Sequence, residues 1–347
     1  MSGPRAMVSR YDRDGIRIVE GDAREVSQTI EPGSCSLAIL DGPYGMGKAA
    51  WDRVSDLPAW YAPHLDDVDR VCGASASLYV WNTAEGWAAL HPGIVARGWT
   101  FRALVTWDKG VGFMAGKCDV AGLRTWYDVT EVCGFYQREA IPFDDVFGAL
   151  AARMESERRR TGLRRADIDA AVGAANVSQY WWQAREWRCP TRAMWAALAR
   201  VSGGFAWSWD DMKRDEATAR AAYEASRPAF TCPLGVGNVW SHGQVTGSER
   251  LRAADGSTLH PCQKPLAFAE RMIRASTRPG ERVWVPFGGT CREAIAAQRI
   301  ARADPAEARE VVTAELDEDG RDYLGAVVRV LEGRGTAPPT PGQVSLW

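Results

Sequence analysis

The sequence has eight cysteines but no metal-binding pattern among them. Cys35, Cys72, Cys118, Cys133, Cys189, Cys232, Cys262 and Cys291 never fall as Cys-x-x-Cys, and no histidine neighbours them at finger spacing. No metal site is expected. There is no signal-peptide pattern and no apolar run of membrane length. A soluble, cytoplasmic chain with reduced thiols and no membrane partner is therefore expected. Internal repeats are absent. An excess of one charge is also lacking: 42 Lys and Arg against 44 Asp and Glu leave a formal −2. Net charge thus carries no nucleic-acid signature, and only a local basic face can supply one. Tryptophan is the residue in excess, with 16 in 347 positions. It fills cores but also stacks on bases.

The length suits one large α/β domain with an inserted module. Residues 16–19, 35–40, 77–81, 101–107 and 129–136 read as strands, and 23–30 and 83–96 as helices. This alternation predicts a mostly parallel sheet covered on both faces. From about residue 144 the pattern becomes helical, over 144–160, 165–172, 177–184, 191–201 and 210–226. Short helices and tight turns there suggest a helix-turn-helix-like unit. Residues 228–259, rich in Gly, Pro and Ser, read as a loop.

Two motifs carry the chemistry. The apolar strand Leu37-Ala38-Ile39-Leu40 empties into Asp41-Gly42-Pro43-Tyr44, a tight turn with a carboxylate, exposed carbonyls and an aromatic ring. Such a turn suits a planar, amino-bearing base. Far downstream, His260-Pro261-Cys262-Gln263-Lys264-Pro265 leads through a helical stretch to Val283-Trp284-Val285-Pro286-Phe287-Gly288-Gly289-Thr290. That second strand ends in a glycine turn opening a helix, a place for a nucleotide-like cofactor. Together they suggest group transfer from a cofactor to an exocyclic amine.

Asp41 to Tyr44 resembles the Asp-Pro-Pro-Tyr motif of the amino-directed DNA methyltransferases, which make N6-methyladenine or N4-methylcytosine. The lead-in from Gly21-Asp22, the segment His260 to Pro265, the turn Phe287 to Thr290 and the acid Glu315 are similar to further motifs of that family. The catalytic motif comes first, which is the family's β-type order. The resemblance implies a Rossmann-like α/β methyltransferase sheet at 1–143 and 228–335. It also implies an inserted helical target-recognition module at 144–227, and 336–347 reads as a flexible tail. S-adenosylmethionine is the implied cofactor, with Asp22, Asp41, His260, Gln263, Lys264, Phe287, Gly288, Gly289, Thr290 and Glu315 as its expected contacts. Asp41 and the Gly42 carbonyl are expected to orient the amine, and Tyr44 to stack on the base. Double-stranded DNA is the implied partner, with a homodimer and a cognate restriction endonuclease as further candidates. A leading Asp and trailing Tyr favour adenine over cytosine, with a cytosine-N4 enzyme or a weak, DNA-binding relative as the alternatives.

Two departures from the family pattern motivate the last alternative. Gly42 stands where the family has proline, which loosens the turn, and Gly42→Pro is expected to be tolerated. Val285 stands where an acid commonly precedes Pro-Phe, removing a polar anchor near the cofactor. Within the insertion, residues 153–192 hold nine Arg against five acids. Arg158, Arg159 and Arg160 are the expected phosphate contacts, and Ser178, Gln179 and Arg185 the expected base contacts.

Overall fold

The computed structural model describes residues 6–114, 122, 124–173, 179–253, 256–260, 262–316 and 322–334. Ser178, the Arg185 side chain and the expected tail at 336–347 lie outside the described residues. The chain forms two compact units, residues 1–138 with 228–347, and Glu139–Arg227.

Among the described residues the first unit has nine strands: β1 (Val8–Arg13), β2 (Ile16–Glu20), β3 (Cys35–Leu40), β4 (Cys72–Asn82), β5 (Thr100–Asp108), β6 (Thr130–Arg138), β7 (Val239–Ser241), β8 (Arg282–Val285) and β9 (Glu310–Glu315). They form one sheet in the order β1-β2-β9-β8-β3-β4-β6-β5-β7. Only β1 and β6 run against the others. The expected loop at 228–259 thus contains β7, which pairs with β5 from Thr106↔Val239 to Asp108↔Ser241. Three residues are too few to show a period against Gly- and Pro-rich flanks.

Side-chain alternation fills both faces of the sheet. Leu37 and Ile39 join one core with Val283, Val285 and Val311, while Ala38 and Leu40 join the other with Val80 and Trp284. Helices α1 (Ala23–Ser27), α2 (Leu57–Val71) and α3 (Ala84–Ala96) precede β6 in the chain. Asp22, Asp56 and Thr83 cap them, each side chain accepting a first-turn backbone N–H. The first helix ends at Ser27, short of the expected residue 30. The second unit is helical: α4 (Phe143–Thr161), α5 (Arg165–Val172), α6 (Gln179–Trp182), α7 (Arg192–Ser202) and α8 (Trp209–Ser226). Of the expected helix at 177–184, the described residues hold α6 and then a 3-10 turn at Ala184–Glu186, while 177 and 178 lie outside them. Trp181, Trp187, Trp195 and Trp207 are buried in this unit's core, so much of the tryptophan excess is packing. The chain returns to the first unit and adds α9 (Leu266–Ser276), α10 (Arg292–Ala303) and α11 (Tyr323–Leu331).

Topology places the site. From β3 the chain moves to β4 on one side, and from β8 to β9 on the other, so a crevice opens between the adjacent β3 and β8 at their carboxyl ends. Open α/β sheets bind ligands at such a switch point.

Candidate active site

Asp41 follows β3, Gly21 and Asp22 follow β2, Phe287 to Thr290 follow β8, and Glu315 ends β9. These residues and the lip His260, Gln263 and Lys264 line one cavity of about 400 Å³, a volume suited to a small molecule. All ten residues expected to contact the cofactor are brought together there.

The glycine turn is held against β9. Gly288 N–H donates to the Ala314 carbonyl at 2.8 Å, and Gly289 N–H to Glu315 Oε2 at 2.5 Å. A Cβ on Gly288 would lie 2.4 Å from Thr313 Oγ1, so only glycine fits. Glu315 Oε1 also accepts from Leu316 N–H at 3.1 Å, and this carboxylate therefore sets the turn's shape.

At the other end of the cavity a charged network surrounds Asp41. Lys264 Nζ donates to Asp41 Oδ1 at 2.8 Å and to the Tyr44 hydroxyl at 3.0 Å, and lies 3.2 Å from Glu131 Oε2. The Tyr44 hydroxyl lies 3.0 Å from Asp41 Oδ1 and 3.2 Å from Glu131 Oε2. Lys109 Nζ donates to Glu131 Oε1 at 2.6 Å. Glu131 reaches the rim because β6 runs backwards and begins there. Two cations and two carboxylates thus balance in a largely dry place. Burial raises the Asp41 carboxyl above its ordinary value, with Lys264 pulling the other way. Burial also acts on Glu131, but Lys264 and Lys109 overcome it and hold that carboxyl at about 2. Asp41 Oδ2 is left without a hydrogen bond among the described residues.

Asp52, absent from the sequence reading, shapes the Asp41–Tyr44 turn. Its Oδ1 accepts from Tyr44 N–H at 2.7 Å and Gly45 N–H at 3.0 Å, and its Oδ2 from Lys48 N–H at 3.0 Å. Gly42 is explained by α2, which supplies Trp60, Tyr61 and His64 to an aromatic cluster with Phe287. A Cβ at Gly42 would meet Tyr61 Oη at 2.8 Å and two Phe287 ring carbons at 2.9 and 3.0 Å. The expected tolerance of Gly42→Pro is therefore corrected: the aromatic cluster occupies the space the proline ring needs. The stacking role expected of Tyr44 also meets a competing use, since its hydroxyl is tied into the Asp41 network.

The sequence model of a DNA methylase family (N6_N4_Mtase) matches residues 35–319. The chain belongs to this family. The methylase is 23% identical to the type II methyltransferase M1.MboII of Moraxella bovis over 282 residues, covering 79% of this chain and 84% of that protein. Among solved structures, the cytosine-N4-specific PvuII DNA methyltransferase matches with a TM-score of 0.52 at 13% identity, covering 95% of this chain and 97% of that one. At that identity the likeness is one of fold. M1.HpyAVI, solved as a complex with SAM, gives a TM-score of 0.46 at 13% identity, with coverages of 91% and 99%. S-adenosylmethionine is the family's methyl donor.

Not every lip residue of the methylase is free to touch that donor. Gln263 Oε1 accepts from Leu251 N–H at 3.0 Å and its Nε2 donates to the Glu249 carbonyl at 2.9 Å, so its amide fixes the neighbouring loop. His260 stacks on Trp51 with centroids 5.6 Å apart, and its Nδ1 accepts from Cys262 N–H.

In the helical unit, the arginine run divides. Arg158, an expected phosphate contact, grips both Glu155 oxygens at 2.7 Å and donates to the Leu163 carbonyl at 2.8 Å, which braces the corner after α4. Its acid lies three residues earlier on the helix, within side-chain reach. Arg160 bonds Glu157 and the Gly204 carbonyl. Arg159 also bonds Glu155 Oε1, at 2.9 Å, but at 74% side-chain exposure it is the most outward member of the run. Arg188, missed by the sequence reading, is exposed beside the Tyr180 ring at 4.5 Å. Gln179 opens α6 and is half-buried.

Proposed function

We propose that this methylase transfers the methyl group of S-adenosylmethionine to N6 of adenine in duplex DNA, with site preference read by the unit Glu139–Arg227. The observation that carries the reading is the Asp41 carboxylate beside the cavity shared with the glycine turn, one oxygen fixed by Lys264 and the other open. The cavity fits the cofactor: Gly288 and Gly289 give close backbone approach, and Glu315 supplies a carboxylate at one end. When bound, the cofactor supplies a sulfonium-activated methyl.

The protein's part is positioning. Asp41 Oδ2 and the Gly42 carbonyl accept hydrogens from the exocyclic amine, which turns its lone pair out of the ring plane and toward the donor. Asp52 fixes the turn that presents both acceptors. A paired base is beyond reach of such a recessed carboxylate, so the adenine is flipped out. Adenine over cytosine is supported by the Asp41–Tyr44 motif. The type II name of M1.MboII carries one further implication, a cognate endonuclease cutting the same site.

Nucleoside mass spectrometry on DNA from an expressing host tests the reading. N6-methyladenine is expected, and it should vanish in Asp41→Ala, which loses roughly 10²-fold or more in rate while still binding the cofactor. N4-methylcytosine in its place would move the target to cytosine. Unmodified DNA from the wild-type host would refute the activity.

A further inference from the structure

Two charged side chains in the cavity have no part in the chemistry above. Arg292 opens α10 and Glu293 follows it; both line the cavity, and they are 2% and 8% exposed. Arg292 Nη2 donates to the Glu249 carbonyl at 2.5 Å, while its Nε and Nη1 are buried with no hydrogen-bond partner among the described residues. A buried guanidinium with two unmet donors destabilises the fold unless a ligand meets them. Burial lowers the Arg292 guanidinium to about 10, and burial raises the Glu293 carboxyl to about 7 with help from the Asp41 charge. The cavity's adjacent strand end offers no charge, since β8 closes on the buried Val285.

We propose that Arg292 and Glu293 form the subsite for the amino-acid end of S-adenosylmethionine, Arg292 taking the carboxylate and Glu293 the α-ammonium. The inference rests on the cofactor reading above. Placement and charge support it. Arg292 and Glu293 line the same cavity as Asp41 and Lys264, whose charges act on the Glu293 carboxyl. The Glu249 carbonyl that holds Arg292 is itself held by Gln263, under the lip. A methyl presented to the amine there would bring the amino-acid arm with it, because both branch from the same sulfur. A zwitterion needs one group of each sign, whereas adenosine needs neither. An arriving ammonium also favours the Glu293 carboxylate, so binding releases a proton, about half a proton at pH 7 for a group near 7.

The test is calorimetry on the full chain with S-adenosylhomocysteine and 5′-methylthioadenosine, neutral thioethers that differ only in the amino-acid end. Arg292→Met is expected to weaken S-adenosylhomocysteine roughly 10- to 100-fold and to leave methylthioadenosine unchanged, which also reports an intact fold. Repeating the titration in buffers of different ionisation heat should show proton release with S-adenosylhomocysteine only, abolished in Glu293→Gln. Wild-type affinity for S-adenosylhomocysteine in Arg292→Met, or no proton release by the wild type, overturns the subsite. Should the wild type bind neither compound, the cofactor reading falls and the subsite with it. Should Arg292→Met not fold, the proton-release arms decide alone.

Discussion

Replacing Lys264 with Met removes a cation 2.8 Å from Asp41 Oδ1 and 3.2 Å from Glu131 Oε2. At 2.8 Å the attraction between unit charges is roughly 1.5 kcal/mol in bulk water and about 6 kcal/mol at an effective dielectric of 20. The Asp41 side chain is 24% exposed and the Lys264 side chain 9%, so the true value lies between these limits. An opposite charge this close shifts a carboxyl by about 1–3 units, or ~1.4–4 kcal/mol. The sign follows from the amine-accepting form, which is the ionised one. Burial already raises the folded-state Asp41 above its ordinary value. Activity should therefore fall as pH drops through that raised value. Without Lys264 the value rises further, and the acid limb of kcat/KM should move up by about 1–3 pH units. Lys264→Arg should hold the limb near its wild-type position. Methyl incorporation into DNA measured across about pH 5–9, with cofactor binding measured alongside, reads both quantities. A limb that stays put in Lys264→Met while cofactor binding weakens would show that Lys264 serves the cofactor and not the charge on Asp41.

Gly42→Ala should lower the melting temperature and methyl transfer together, because its Cβ lies 2.8 Å from Tyr61 Oη; overpacking of this kind costs about 1–3 kcal/mol, and adding Tyr61→Phe should restore part of it. Glu131 contributes stability that is present above the ordinary carboxylate value of 4.5 and lost as pH falls toward about 2. The melting temperature of Glu131→Gln should therefore depend less on pH across that window, and an unchanged slope would contradict the network. Arg158→Ala should loosen the helical unit by releasing Glu155 and the Leu163 carbonyl, seen as faster hydrogen exchange in α4 and α5. Arg159→Ala should leave exchange unaltered and reduce the salt slope of DNA binding by about 1; the reverse pattern would exchange the two roles.

The parts of the site visible in the sequence are those that end a strand with a motif: Asp41 after β3, the glycine turn after β8 and Glu315 on β9. Chain order and apolar runs are local, and topology then carries these ends to one rim. Tyr61, Glu131 and Arg292 were not legible, because each acts through a neighbour distant in sequence; Asp52 acts on nearby backbone N–H groups, but through an irregular turn that leaves no periodic pattern. Glu131 opens a strand rather than closing one, and only the reversal of β6 puts it beside Lys264. Pro58 and Pro63 masked α2; the first sits in the opening turn, and the second is accommodated within the helix. The internal bonds of the arginine run were hidden for a different reason. A count of charges ignores the acids one turn away, which draw Arg158 inward.

The insertion lies wholly between β6 and β7, and none of the nine strands comes from it. Residues 139–227 leave and rejoin the chain outside every strand pairing. A lineage can therefore lengthen, shuffle or exchange this one continuous stretch of gene without shifting any register in the sheet. On the function proposed above, new target preferences would then arise by recombination at two junctions, with the surroundings of Asp41 inherited intact.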